Sequence, residues 1–152
     1  MEAEVQGYLT EFGILKEQIR EAVQNLDDEA VNWCPLPTDT NSMYVMLCHL
    51  AGSEEYWVRQ VIGGESIDRD REAEFRASGH LSDIVDHWEK VGRISENILS
   101  NLSSSQLGES KTLTPTTGAV SYTVRWCILH IISHYATHLG HIQLTRQLWE
   151  QR

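Results

Sequence analysis

The sequence predicts an all-α protein, a four-helix bundle with a long crossover connection. Apolar residues recur at intervals of three and four in four separate segments, at about residues 4–26, 41–62, 82–103 and 120–149. Two connections between these segments are long, polar and broken by glycine or proline, and such connections can join parallel neighbours as well as antiparallel ones. No segment carries a convincing strand pattern.

The first helix presents Val5, Tyr8, Leu9, Phe12, Leu15, Ile19, Val23 and Leu26 on one face. Asp27 to Thr40 is a connection, because Pro35 and Pro37 each disfavour helix for the residue before them. Trp33 is expected to pack it down. Asn41 or Ser42 caps the second helix, which stops at Gly63-Gly64, where a positive φ is easily adopted. His49 lies about two turns into it. The charged stretch Glu65 to Gly79 reads as a long exposed crossover with room for some helix of its own. Ser82 is the expected cap of the third helix, whose apolar positions run from Ile84 through Trp88 to Leu102. Ser103 to Gly118 is the second long connection, with a short extended piece expected around Thr112 to Thr114, and the fourth helix should begin near Ser121.

The chain of 152 residues, 41% hydrophobic, has the size of one compact domain spanning 1–152. A formal charge of -10 argues against nucleic acid or an anionic membrane as a partner. No stretch approaches the ~20 apolar residues of a membrane span. Cys34, Cys48 and Cys127 show no disulfide framework, and the first residues show no basic and apolar export signal. A cytoplasmic location is the expectation.

The fourth helix carries His130, His134, His138 and His141, four of the chain's 7 histidines. At about 3.6 residues per turn their rings fall within an arc of roughly 80°. They flank the apolar arc of Val124, Ile128, Ile131, Ile132, Tyr135, Leu139, Ile142 and Trp149. A lone histidine beside a core is usually satisfied by an ordinary partner. Four on one arc would each need one, at a cost of about 1–3 kcal/mol for every unmet group, and a shared cation settles several needs together. Two rings one turn apart can reach one ion, and a third ligand must come from a facing helix, for which His49 is the candidate. Spacing does not choose between His130 with His134 and His134 with His138.

The runs His49-Leu50-Ala51-Gly52-Ser53-Glu54-Glu55-Tyr56-Trp57 and His134-Tyr135-Ala136-Thr137-His138-Leu139-Gly140-His141-Ile142, with Pro37 through Asn41-Ser42, resemble the DinB-like superfamily, which includes mycothiol- and bacillithiol-dependent transferases. The resemblance spans nearly the whole chain. It implies a bundle holding a divalent metal on His49, His134 and His138, with His130 and His141 lining the pocket. Many relatives have H-H-R-G-Q where this chain has Thr137-His138-Leu139-Gly140-His141. The stretch His138-Leu139-Gly140-His141 is closer to the H-N-G-H of a mycothiol-associated branch, which often has Glu in place of His134. The thiol and the substrate are left open by these departures.

Three neutral imidazoles suit zinc, nickel or iron(II) and leave a coordination position for an exogenous ligand. Taken with that open position, the resemblance implies a metal-dependent thiol S-transferase-like enzyme activating a low-molecular-weight thiol toward a small electrophile, as a homodimer. The second reading is a catalytically silent metal-binding bundle with a stress-response or interaction role. Glu54, at a position where relatives often carry Glu, and His141 are the candidate catalytic residues. Glu54 is expected to orient a histidine or bound water, against the plain reading of a solvated helix carboxylate. Cys48 points roughly 100° from His49 and reads as core. The five tryptophans read as packing residues, one or two of them at the pocket mouth.

Overall fold

The computed structural model describes residues 2–115 and 118–152. The elements are α1 (Ala3–Val23), α2 (Asp28–Asn32), α3 (Met43–Glu54) with a π-helical continuation (Glu55–Ile62), α4 (Arg71–Glu74), α5 (Leu81–Ser100), α6 (Ser104–Leu107), β1 (Ser110–Leu113), β2 (Val120–Thr123) and α7 (Val124–Glu150). Helices α1, α3, α5 and α7 form the expected four-helix bundle.

Local chemistry sets the boundaries. Helix α1 stops short of Leu26, because Gln24 is extended and Asn25 takes a left-handed φ of 62°, a conformation asparagine tolerates. Ser42 caps α3 by accepting from the Val45 amide at 3.1 Å. The last two turns widen to π geometry, closed by the Gly63 amide on the Val58 carbonyl five residues back, and Gly64 ends them at φ 75°. Helix α5 begins at Leu81, and Ser82 is not its cap. Asp28, at the start of α2, instead accepts from the Leu81 amide at 2.9 Å.

The largest departure lies before α7. Residues 120–123 were expected inside the fourth helix, yet they pair with β1 as an antiparallel hairpin, Ser110 opposite Thr123 and Leu113 opposite Val120. The extended piece expected at 112–114 accordingly sits at 110–113. Valine, tyrosine and threonine favour a strand once a partner is present, and Thr123 then caps α7 by accepting from the Trp126 amide at 3.1 Å.

Side-chain contacts give the helix directions. Glu4 meets Arg125 at 2.6 Å and the Ala22 carbonyl meets Arg146 at 2.9 Å, so α1 and α7 run parallel. His49 faces His134 and Trp57 faces Trp126, so α3 opposes α7. Tyr44 lies against Gly79 and Ile98 against Gly63, so α5 runs with α3. The order is up, down, down, up, and the 63–80 connection is the crossover that joins the parallel pair α3 and α5.

A buried polar knot ties the four helices. Lys16 Nζ of α1 donates to Glu54 Oε1 of α3 at 2.7 Å, Tyr135 of α7 donates its hydroxyl to Glu54 Oε2, and Trp88 Nε1 of α5 donates to the Tyr135 oxygen at 2.8 Å. Glu54 is fully buried. Burial lowers the Lys16 pKa, opposed by the carboxylate, and burial also raises that of Tyr135. Lys16→Met should leave Glu54 as an uncompensated charge and cost about 3–5 kcal/mol in urea denaturation. The double variant Lys16→Met/Glu54→Gln should recover most of that loss, and additive losses would show that the pair is not coupled.

Candidate metal centre

His49 on α3 and His134 and His138 on α7 converge where the two helices face one another. Their ligand atoms lie within 4.8 Å of one another, and Nε2 of His49 stands 3.1 Å from Nε2 of His134. Spacing left two pairs on α7 open, and the structure brings His134 and His138 to His49. His130 is one turn further, stacked 6.3 Å from His134. His49 is 8% exposed, and the other two are half-buried.

The carboxylate beside the histidines is one the sequence did not mark. Glu74 Oε2 lies 2.9 Å from His49 Nδ1. A carboxylate accepts, so Nδ1 donates to it, and the neutral tautomer that this selects has its lone pair on Nε2, facing the cluster. Arg69 clamps the same carboxylate, Nε on Oε1 at 2.6 Å and a terminal nitrogen on Oε2 at 2.9 Å. Phe75 covers the His49 ring at 4.9 Å between centroids. All three come from the crossover, whose alternating charges look like a solvated run; nothing local separates Glu74 from Glu72. Gly52 makes the approach possible, because a Cβ there would run into Glu74 Oε1 and sit 2.8 Å from its Cδ and 3.1 Å from Arg69 Nε.

Glu54 does not touch a histidine, and it is not a solvated carboxylate. It lies five residues after His49 on the opposite flank of α3, satisfied by Lys16 and Tyr135. Cys48 is half-buried, and desolvation pushes its thiol up to about 11, in keeping with a packing role. His141 is exposed, 5.3 Å from His138 between ring centroids, and borders a cleft. On the other side Tyr122, Trp126 and His130 stack in succession, with Trp57 edge-on to all three.

The donor set fits a divalent ion. Burial, with the neighbouring rings adding to it, holds His134 down to about 3 and His138 to about 4, so both are neutral and able to ligate near pH 7. The buried side-chain polar atoms without a partner among the described residues are Ser95 Oγ and the Nδ1 atoms of His134 and His138. Metal–nitrogen bonds of about 2.0–2.1 Å at a tetrahedral ion separate two ligand nitrogens by roughly 3.3 Å, close to the 3.1 Å between His49 and His134. No described helix is long and apolar enough to cross a membrane.

Fold and site together define a DinB-like four-helix bundle with a three-histidine group able to hold a metal. Two solved structures share the fold: a conserved protein from Enterococcus faecalis (TM-score 0.76, 14% identity, covering 100% of this chain and 99% of that one) and a DinB-like protein from Bacillus cereus (TM-score 0.74, 15% identity, 93% and 90%). No functionally curated protein matches the sequence. The family model of mycothiol-S-transferase matches residues 8–151, and the chain belongs to that family.

Two outcomes test the centre. Glu74→Ala should weaken divalent-metal binding by about 10–100-fold with helix content unchanged, measured by competition with a chromophoric chelator. Gly52→Ala should act in the same direction by displacing Glu74, and unchanged affinity in both would remove the carboxylate from the centre. The second outcome concerns pH. Between the ordinary histidine value of 6.5 and the depressed values of about 3 and 4, the unfolded chain binds protons that the folded one does not. Metal-free protein should therefore hold its stability above about pH 6.5 and lose it progressively as pH falls toward 3. His134→Asn should flatten that slope in denaturant titrations.

Proposed function

We propose that the protein is a metal-dependent thiol S-transferase that joins mycothiol to a small electrophile, with a divalent ion held by His49, His134 and His138. Membership of the mycothiol-S-transferase family names the thiol class, and the observation that carries the reading is the convergence of three imidazoles from two facing helices. A bound cation would supply the charge that makes a thiol a thiolate at neutral pH. The chain's own residues prepare for this. Glu74 fixes the His49 tautomer, Arg69 holds the Glu74 carboxylate in place with two hydrogen bonds, and burial keeps His134 and His138 unprotonated. Phe75 and the aromatic stack shield two sides of the cluster from water.

His141 is proposed to meet the reactants at the mouth of the site, because it is exposed beside His138. Glu54 is proposed as a positioning residue: its hydrogen bond from Tyr135 fixes the rotation of α7 one residue from His134. The donor set accommodates zinc, nickel or iron(II).

The test begins with metal analysis of protein purified without a nickel column, followed by conjugation assays with mycothiol, bacillithiol and glutathione. The metal-loaded protein, and not the stripped one, should accelerate conjugation, with mycothiol the fastest. His134→Ala should lose metal and activity together, and His141→Ala should keep the metal and change turnover. No metal-dependent rate with any thiol would favour the silent metal-binding bundle. Sedimentation equilibrium tests the homodimer.

A further inference from the structure

A cleft of about 520 Å³ opens beside the histidine cluster, with His138 and the exposed His141 among the residues that line it. Buried Met46 and the side chains of Leu36, Leu144 and Leu148 give it a mainly apolar lining, with Asp39, Asn41 and Arg152 among its polar members beside the histidines. Those three leucines are 58, 54 and 44% exposed, so three of the chain's exposed large hydrophobic side chains surround one opening. Scattered apolar residues need no explanation, but a concentration around a concave site does. The leucine on the loop side is held in place. Thr40 Oγ1 accepts from the Leu36 amide and donates to its carbonyl, both at 3.1 Å, between Pro35 and an Asp39 whose φ is 62°. Trp33 packs edge-on against Trp149 at 5.7 Å and secures the start of that loop on α7. The cleft is preformed, mainly apolar with a few polar groups, and reaches one of the three converging histidines, the pattern of a small-molecule site.

We infer that this cleft receives the apolar body of the electrophile, an alkyl or aryl group whose reactive carbon is directed toward His138. The inference rests on the proposed transferase reading and narrows its substrate class. In the simplest case the thiol sulfur forms a bond to the carbon of an alkyl halide, the carbon–halogen bond breaks with its electron pair leaving on halide, and the thiol proton passes to solvent. A strongly hydrated electrophile loses water on entry without gaining polar partners from the leucine walls.

The experiment follows 1-bromoalkanes from ethyl to octyl with metal-loaded protein and mycothiol, beside binding of an unreactive aryl ligand, 1-butyl-4-fluorobenzene, observed by fluorine NMR. The value of kcat/KM should rise with each methylene, up to about fourfold per group at full burial. The fluorine resonance should broaden and shift on binding, more strongly with the cobalt-loaded protein because the cleft adjoins the histidines. Leu144→Asp should abolish ligand binding and flatten the chain-length series, with metal content and the KM for mycothiol unchanged; Leu36→Glu, on the other wall, should do the same. If no conjugation occurs but the aryl ligand binds and both variants abolish it, the transferase reading fails while the apolar site stands. Turnover without chain-length dependence and without ligand binding would overturn the cleft assignment alone. So would a Leu144→Asp variant that raises the KM for mycothiol selectively, which would place the thiol there, or one that dissociates a dimer, which would make the cleft a contact between copies.

Discussion

The bundle is organised by one buried carboxylate. Glu54 has no contact with water, and it is tolerable only because Lys16, Tyr135 and, through Tyr135, Trp88 meet it, one group from each of the other three long helices. A buried pair of this kind adds little net stability compared with apolar packing, but it admits few alternatives. Rotating α7 by one residue would take Tyr135 off the carboxylate and His134 away from His49. The same constraint that closes the core therefore sets the rotational position of the histidine stripe, and Phe12, edge-on to Tyr135 at 4.7 Å, completes the enclosure.

Topology then does chemical work. Parallel neighbours cannot be joined by a tight turn, so α3 and α5 need the 63–80 crossover. That segment returns along the side of α3 where Gly52 leaves no side chain in its way, and it delivers Arg69, Glu74 and Phe75 to His49. A connection required by chain direction supplies the hydrogen-bond partner that orients a ligand. The two flanks of the cluster differ as a result of what packs there. Toward the start of α7 the hairpin contributes Tyr122 to an aromatic stack, and toward its end the 33–40 loop and the leucines of α7 leave an open apolar cleft.

Much of this was legible in the sequence. Three-and-four spacing depends only on helix geometry, so the four long helices and the apolar face of each could be placed to within a few residues. The histidine stripe was visible for the same reason, since all its members lie on one helix. The resemblance to DinB-like proteins rested on two contiguous runs of residues, and the match of the mycothiol-S-transferase family over residues 8–151 agrees with it.

What the chain determined alone was local: which segments are helical, which residues share a face, and that a metal would find imidazoles there. Tertiary structure decided everything that required two segments to meet. It selected His134 with His138 as the pair facing His49, turned residues 120–123 into a strand by providing 110–113 as a partner, and took the capping of α5 from Ser82 to Asp28. It also exchanged the roles of two glutamates, sending Glu54 into the core and Glu74 to the histidine. The physical reason is shared by all four cases. Hydrogen bonds and ion pairs act over a few ångströms in space, whereas spacing along the chain reports distance only within one rigid element.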